Sequence, residues 1–262
     1  MASVGKFTKR YSTFRPTNIS GCRSWMDTMD ASSYTLSGTS VLTVTDKADN
    51  NTFTKTGSIV SKYNGSDKTT SGFDMTIGNL KKTITSMPLY VHTAFFVTKL
   101  DSYPTTAGSP CMSFASSTSG SSQFHRPLDY ATTFRTVAFG QSVIVAAASG
   151  ATTNSMIFSG TYSNKVISSR YFDAGTENSY GTTGSSDYNT DASVVLIGAD
   201  GATGQTGVFS WPGTVREVIV YGSVLSDTER RTVEGYLAWK WGLQSILSST
   251  HPYKNVPFYT YT

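Results

Sequence analysis

Hydrophobic positions along this chain fall mostly in short runs, separated by Ser, Thr, Gly and Asn. SVLTVTDKADNN sets Val41, Thr43 and Thr45 against Leu42 and Val44, then breaks at Asp49-Asn50-Asn51. That is the period-two alternation of a half-buried strand running into a turn. LYVHTAFFVTKL, residues 89–100, follows Pro88 and is nearly continuous in apolar character, which predicts a buried central strand. RTVAFGQSVIVAAAS predicts a hairpin about Gly140-Gln141, and NSMIFSGTYSNKVISSRYFD two strands about Gly160. ASVVLIGAD and GTVREVIVYGSVLS each predict one further strand. The stretches 101–123, 173–190 and 200–213 are rich in Ser, Thr and Gly, low in charge, and read as loops. Short strands at close intervals, without strand–helix alternation, predict an all-β fold: an antiparallel two-sheet sandwich.

One segment breaks this pattern. In LSDTERRTVEGYLAWKWGLQSILSSTHPY, Val233, Tyr236, Leu237 and Trp241 recur at helical spacing and put one face in apolar contact. Ser226 with Glu229 three residues on forms a capping box, and Asp227 and Glu229 suit the positive end of the helix dipole. Gly242 supplies the stop and Pro252 lies beyond it. The spacing predicts a helix over about 226–241, with Ser226, Glu229, Val233, Leu237 and Trp241 as its structural residues, closing the sandwich as a lid.

Composition sharpens the picture. Charged residues make up only 15% of the 262, while Tyr (15) and Phe (14) are plentiful, a balance that favours pleated sheet over disorder. Net charge is +4, and its distribution says more than its size. Lys6, Lys9, Arg10, Arg15 and Arg23 all precede the first acid, Asp27. A basic arm of this kind meets an acidic protein face, an anionic surface or nucleic acid. Phe7, Tyr11 and Phe14 interleave the arm's cations, which fits a strap that buries rings against a neighbour. Residues 1–18 are therefore expected to leave the domain in extended form, through Lys6, Phe7, Lys9, Arg10, Tyr11, Phe14 and Arg15. Cys22 and Cys111 make no disulfide framework and are expected to be reduced thiols. Neither a secretory leader nor a membrane span is readable.

Candidate chemistry is sparse. Asp27 and Asp30 beside Trp25 read as turn-forming carboxylates, and Asp46, Asp49, Asn50 and Asn51 as a polar turn. His92, His125 and His251 lack metal-ligand spacing. GATGQTG, Gly201 to Gly207, matches neither phosphate-loop pattern. No metal, cofactor or specific nucleic acid is expected. Tyr180, Tyr188 and Trp211 fall in loops and are the candidate exposed rings for a glycan.

VREVIVYGSVLSDTERRTVEGYLAWKWGL followed by HPY resembles the end of laminin-G-like, concanavalin A-like jelly-roll domains found in large DNA viruses, phages and some bacteria. ISGCRSWMDTMDASSYTLSG is similar to the opening of the same family, with Trp25, Asp27, Asp30, Ser32 and Ser33 in place, and DKADNN stands where the family often has DKSGNG. The resemblance brackets about residues 19–253 and implies a jelly-roll sandwich, leaving 1–18 as the arm and 254–262 as a tail. Jelly-roll glucanases of this fold share an ExDxxE strand that is absent here, and the chain has only Glu177, Glu217, Glu229 and Glu234. The resulting expectation is a non-catalytic virion protein, a minor capsid component assembled in the host cytoplasm and holding to other capsid proteins. The alternative is a glycan-binding attachment module displayed on a virus or cell.

Overall fold

The computed structural model describes residues 11–12, 14–62, 68, 71–88, 91–102, 111–115, 122–129, 133–138, 143–146, 153–163, 166–183, 191–199, 211–256 and 260–261. In chain order its strands are β1 (Tyr11–Ser12), β2 (Cys22–Asp27), β3 (Tyr34–Ser37), β4 (Ser40–Thr45), β5 (Thr52–Ser61) and β6 (Phe73–Pro88). Then come β7 (Val91–Leu100), β8 (Met112–Ala115), β9 (Ser122–Asp129), β10 (Thr133–Ala138), β11 (Val143–Ala146) and β12 (Ser155–Ser163). The series ends with β13 (Val166–Asp173), β14 (Thr176–Thr183), β15 (Asp191–Ile197), β16 (Gly213–Tyr221) and β17 (Thr260–Tyr261), with the helix α1 (Asp227–Trp241) between the last two.

All pairings are antiparallel; β1 and β17 pair as a separate two-stranded ribbon, and the other strands build the two sheets of a jelly-roll sandwich. The front sheet runs β14-β13-β12-β7-β16, and β16 meets the start of β6 and then β2 along its far edge. The back sheet runs β11-β10-β9-β8-β15-β6-β5-β4-β3. The long strand β6 belongs to both, since Asp74 pairs with Thr214 while Leu80 pairs with Ile197.

The front sheet is covered on both faces, and this explains its apolar strands. Along β7, Ala94, Phe96 and Leu100 point into the inter-sheet core with Phe158, Val218 and Val220. Phe95 and Val97 point the other way, to the layer formed by α1, where they join Ile157, Ile219, Val233, Leu237 and Trp241. Phe96 and Phe158 stack at 4.5 Å between centroids. A strand buried on both sides shows no alternation, only a run.

Helix α1 is the closing layer. Ser226 Oγ accepts from the Glu229 amide, Glu229 returns a carboxylate to the Ser226 amide, and Gly242 ends the helix at φ +69°. The left-handed turn at Gly242 is open to residues without a β-carbon. Gly235 sits mid-helix for a different reason: a β-carbon there would lie 2.5 Å from the Tyr253 ring. The HPY segment thus packs directly on the helix backbone, and Trp239 Nε1 donates to the Tyr253 carbonyl at 2.8 Å.

Several local expectations are corrected. Strand β12 runs straight through Gly160, which pairs with Ala94 on one side and Ser169 on the other, so the glycine lies within a strand and not in a turn. The stretches read as loops contain β8, the start of β9 and β14. Strand β14 ends its path of pairing, so one register partner, β13, suffices to hold a sequence with no apolar alternation. Among the described residues no helix is long and apolar enough to cross a membrane.

Candidate functional site

Where β2 leaves the front sheet, its last residues meet the turn between β4 and β5 and the flank of α1. Asp46 opens that turn. Its carboxylate accepts from the Trp25 amide (2.9 Å), the Ala48 amide (2.7 Å), Ser24 Oγ (2.5 Å) and Lys82 Nζ (2.7 Å). The Lys47 amide returns a hydrogen bond to the Trp25 carbonyl at 2.8 Å, so the turn is stitched to β2. Asn50 takes φ +62°, a conformation that Asn tolerates better than most side chains.

A chain of alternating charges runs inward from this turn. Lys47 Nζ lies 2.6 Å from Asp30 and 2.9 Å from Asp27, and Lys240 Nζ of α1 lies 2.6 Å from Asp27 and 2.8 Å from Glu217. Glu217 is fully buried and also accepts from Trp25 Nε1 (2.8 Å), Tyr236 OH (2.9 Å) and Trp241 Nε1 (2.7 Å). Burial pushes its carboxyl above the usual carboxylate range, and the Lys240 ammonium pulls it back. Nearer solvent, the hydrogen bonds from Lys47 and Ser32 hold the Asp30 carboxyl down at about 2.

Asp30 and Lys47 open onto a pocket of ≈ 340 Å³. Arg15 and Thr17 line it from the N-terminal side, Ser32 and Ser33 from the turn after β2, and Thr45 and Asn50 from the β4–β5 turn. Trp25 lines it as well, only 5% exposed, with Lys47 Nζ over the indole at 4.2 Å from the ring centroid. Polar groups of both hydrogen-bonding senses therefore converge beside one indole.

A second charged cluster lies at the other end of α1. Glu234, fully buried, accepts from Arg230 at 2.6 and 2.8 Å and from Ser159 Oγ at 2.9 Å, with His251 Nε2 at 3.3 Å. Most of both clusters comes from the stretches singled out in the sequence: Trp25, Asp27 and Asp30 from the opening, Lys47 from DKADNN, and Glu217, Arg230, Glu234, Tyr236, Lys240, Trp241 and His251 from the end, with Ser159 added from β12. Neither buried glutamate faces an open cleft. Asp46 and Asp49, read as a polar turn, share the Lys82 ammonium at 2.7 and 2.8 Å. Among the described residues no group of three His, Cys, Asp or Glu is arranged to hold a metal ion. Cys22 and Cys111 are free thiols, and burial pushes the Cys22 thiol up to about 12, far from a reactive thiolate at neutral pH.

The arm and the rings are placed differently from expectation. Phe14 is buried and meets the Tyr236 ring edge-on at 5.4 Å, and the Pro16 carbonyl accepts from Tyr221 OH at 2.9 Å. Residues 14–18 are thus bound to their own domain, and Arg15 lies on the pocket rim; the expectation of a strap leaving the domain is corrected for this part. Tyr11 is held in β1, whose partner is β17. Lys6, Phe7, Lys9 and Arg10 lie outside the described residues, as do Tyr188 and the side chain of Tyr180. Trp211 is fully buried in the inter-sheet core and offers no ring to a glycan; an indole that falls in a polar sequence stretch still fills the core beside Val215.

The Asp30 environment carries a pH signature. A carboxyl held near 2 in the folded chain against 3.8 ordinarily contributes stability that is present above pH 4. That contribution is lost as pH falls through about 2. The stability difference between the native chain and Asp30→Asn, followed by urea unfolding, is expected to be constant above pH 4 and to shrink below it. A difference that does not change with pH removes the Asp30–Lys47 pair from the account.

No family model matches the chain, and no curated protein sequence does. Solved structures do. Domain 4 of a GH43 extracellular arabinanase from Geobacillus stearothermophilus, in complex with arabinotriose, superposes with a TM-score of 0.54 at 12% identity, covering 79% of this chain and 95% of that one. Trypanosoma rangeli sialidase, in complex with a difluorinated sugar acid, gives 0.54 at 14% identity over 85% of this chain. The match spans 33% of the sialidase. At these identities the likeness is one of fold, an all-β sandwich of the concanavalin A-like kind. It corrects the expectation that the chain is not an enzyme. The fold belongs to domains of an arabinanase and a sialidase, and the missing ExDxxE strand speaks to only one way of building a hydrolase. Neither structure is a virion protein, so the capsid expectation gains nothing from them.

Proposed function

We propose that this chain is a glycan-binding module and that the pocket between Trp25, Asp30 and Lys47 is its binding site. The observation that carries the reading is the pocket's chemistry. A sugar presents hydroxyls that both donate and accept, on a ring whose C–H face is apolar. The pocket sets Asp30 as acceptor, Arg15 and Lys47 as donors, and Ser32, Thr17 and Asn50 as either, beside the small exposed part of Trp25. A few oriented polar groups converging in one concave site are what fixes a small polar ligand. The fold supports the same reading, since one solved domain that shares it was crystallised with arabinotriose.

The test is a binding survey of the intact chain on an oligosaccharide array, followed by calorimetric titration of the sugars retained. Asn50→Gly, which keeps the left-handed turn, and Arg15→Ala change the pocket's rim without touching either core. Each is expected to weaken binding about tenfold, the equivalent of one hydrogen bond lost to a polar or charged partner. Retention of full affinity by both variants would move the site elsewhere on the sandwich.

A further inference from the structure

We infer that the pocket selects uncharged saccharides and binds them without a divalent cation, an inference that rests on the glycan-binding reading above. Among the described residues, the charges around it are already matched. From rim to core, Asp30, Lys47, Asp27, Lys240 and Glu217 alternate in sign, each neighbour within 2.9 Å of the next. Each ammonium is shared between two carboxylates, so neither has a charge to spare for a ligand. Arg15, on the exposed rim, brings the formal charge of the series and the described pocket lining to zero.

An anionic sugar entering here approaches Asp30, the most exposed carboxylate of the series. Among the described residues it gains only Arg15 unless it takes Lys47 from two existing partners. A neutral hydroxyl faces no such exchange: it can donate to Asp30 and accept from Lys47 while both ion pairs stay closed. Like-charge juxtaposition of this kind is how an interface rejects the wrong partner.

The same matching removes the need for a metal. Hard cations are held by several oxygens, with carboxylates prominent among them. Here the carboxylates near the pocket already have a cation built in. Lys47 bridges Asp27 and Asp30, and behind the turn Lys82 bridges Asp46 and Asp49 at 2.7 and 2.8 Å. A calcium ion would have to displace a lysine to reach any of these pairs.

The experiment titrates the intact chain with neutral oligosaccharides (lactose, arabinotriose, cellotriose) and with acidic ones (3′-sialyllactose, trigalacturonate), with and without EDTA. Neutral sugars are expected to bind at least about tenfold more tightly than acidic ones, and EDTA to change nothing. Asp30→Asn removes one negative charge from the rim while Asp27 still holds Lys47. It is expected to narrow the neutral-to-acidic ratio at low salt and to leave that ratio nearly unchanged at high salt. Preference for the acidic sugars, or loss of binding in EDTA, overturns this inference and leaves the glycan reading standing. Binding of no sugar at all overturns both. An Asp30→Asn variant whose ratio matches the native chain shows that selection does not arise from the charge series.

Discussion

Lys82→Met is expected to lower the unfolding free energy by about 3–5 kcal/mol, the cost of stranding a buried charge when its partner is removed. Lys82 lies on β6 with its side chain 1% exposed, against an Asp46 that is fully buried. Methionine matches the length of the stem and keeps its packing beside Phe53, so the loss reports on the ammonium and not on volume. Asp46 cannot relax by turning to water. It is pinned by two backbone amides and Ser24 Oγ, and its neighbours lie in the sheet. Asp46→Asn is the partner variant: an amide can still accept from one side but meets donors with donors on the other. The pair Lys82→Met and Asp46→Asn, with the double variant, closes a thermodynamic cycle whose coupling energy isolates the bridge. Urea unfolding monitored by tryptophan fluorescence reads all four states. A loss below about 1 kcal/mol for Lys82→Met, the range of exposed pairs, would show that water reaches the bridge in solution.

How much of this was readable beforehand depends on the distance over which each feature is encoded. The buried strand at 91–100 was legible because both of its faces are covered, and a run of apolar residues is a local signal. The ends of α1 were legible for the same reason: Ser226, Glu229 and Gly242 act on the backbone within a turn of themselves. Strand β6 was not, although it is the longest in the fold. It passes from one sheet to the other, so its sequence, FDMTIGNLKKTITSMP, satisfies two environments in turn and shows the period of neither. Lys82 reads as surface in that sequence and is buried because Asp46, thirty-six residues earlier, supplies its counter-charge. The pocket was visible only in pieces. Trp25, Asp27 and Asp30 could be singled out, but Glu217 stands 192 residues from the indole it holds. No local pattern carries a contact at that separation. Arg15 was assigned to a strap because three rings lie near it in sequence; the structure places one of them, Phe14, against α1 and leaves Arg15 beside the pocket. Polar composition misled in the opposite direction at Trp211, which fills the core from within a stretch of Gly, Ser and Thr.

Glu217→Gln is expected to cost about 3–5 kcal/mol, although it keeps the shape of the side chain and removes only a charge. Four donors converge on this carboxylate: Trp25 Nε1 and Tyr236 OH on one oxygen, Trp241 Nε1 and Lys240 Nζ on the other. A glutamine offers one oxygen and one amide nitrogen, and neither orientation fits. With the nitrogen toward Trp241 and Lys240 it faces two groups that have no lone pair to give. With the nitrogen toward Trp25 and Tyr236, the phenol can rotate to accept but the indole cannot. Either way an N–H is buried against an N–H, and Lys240 keeps only Asp27. The penalty therefore has two parts, an unsatisfied buried donor and an ammonium stripped of one counter-charge. Glu217→Gln should also loosen the pocket, because the Trp25 ring is fixed by the hydrogen bond it donates to this carboxylate. The two effects separate in practice. Adding Lys240→Met to Glu217→Gln removes the stripped ammonium, and part of the lost stability is expected to return. Sugar affinity is not expected to follow, because Trp25 Nε1 is still without its carboxylate. If the double variant regains binding together with stability, the indole is held by packing alone, and Glu217 bears only on the charge balance beneath the helix.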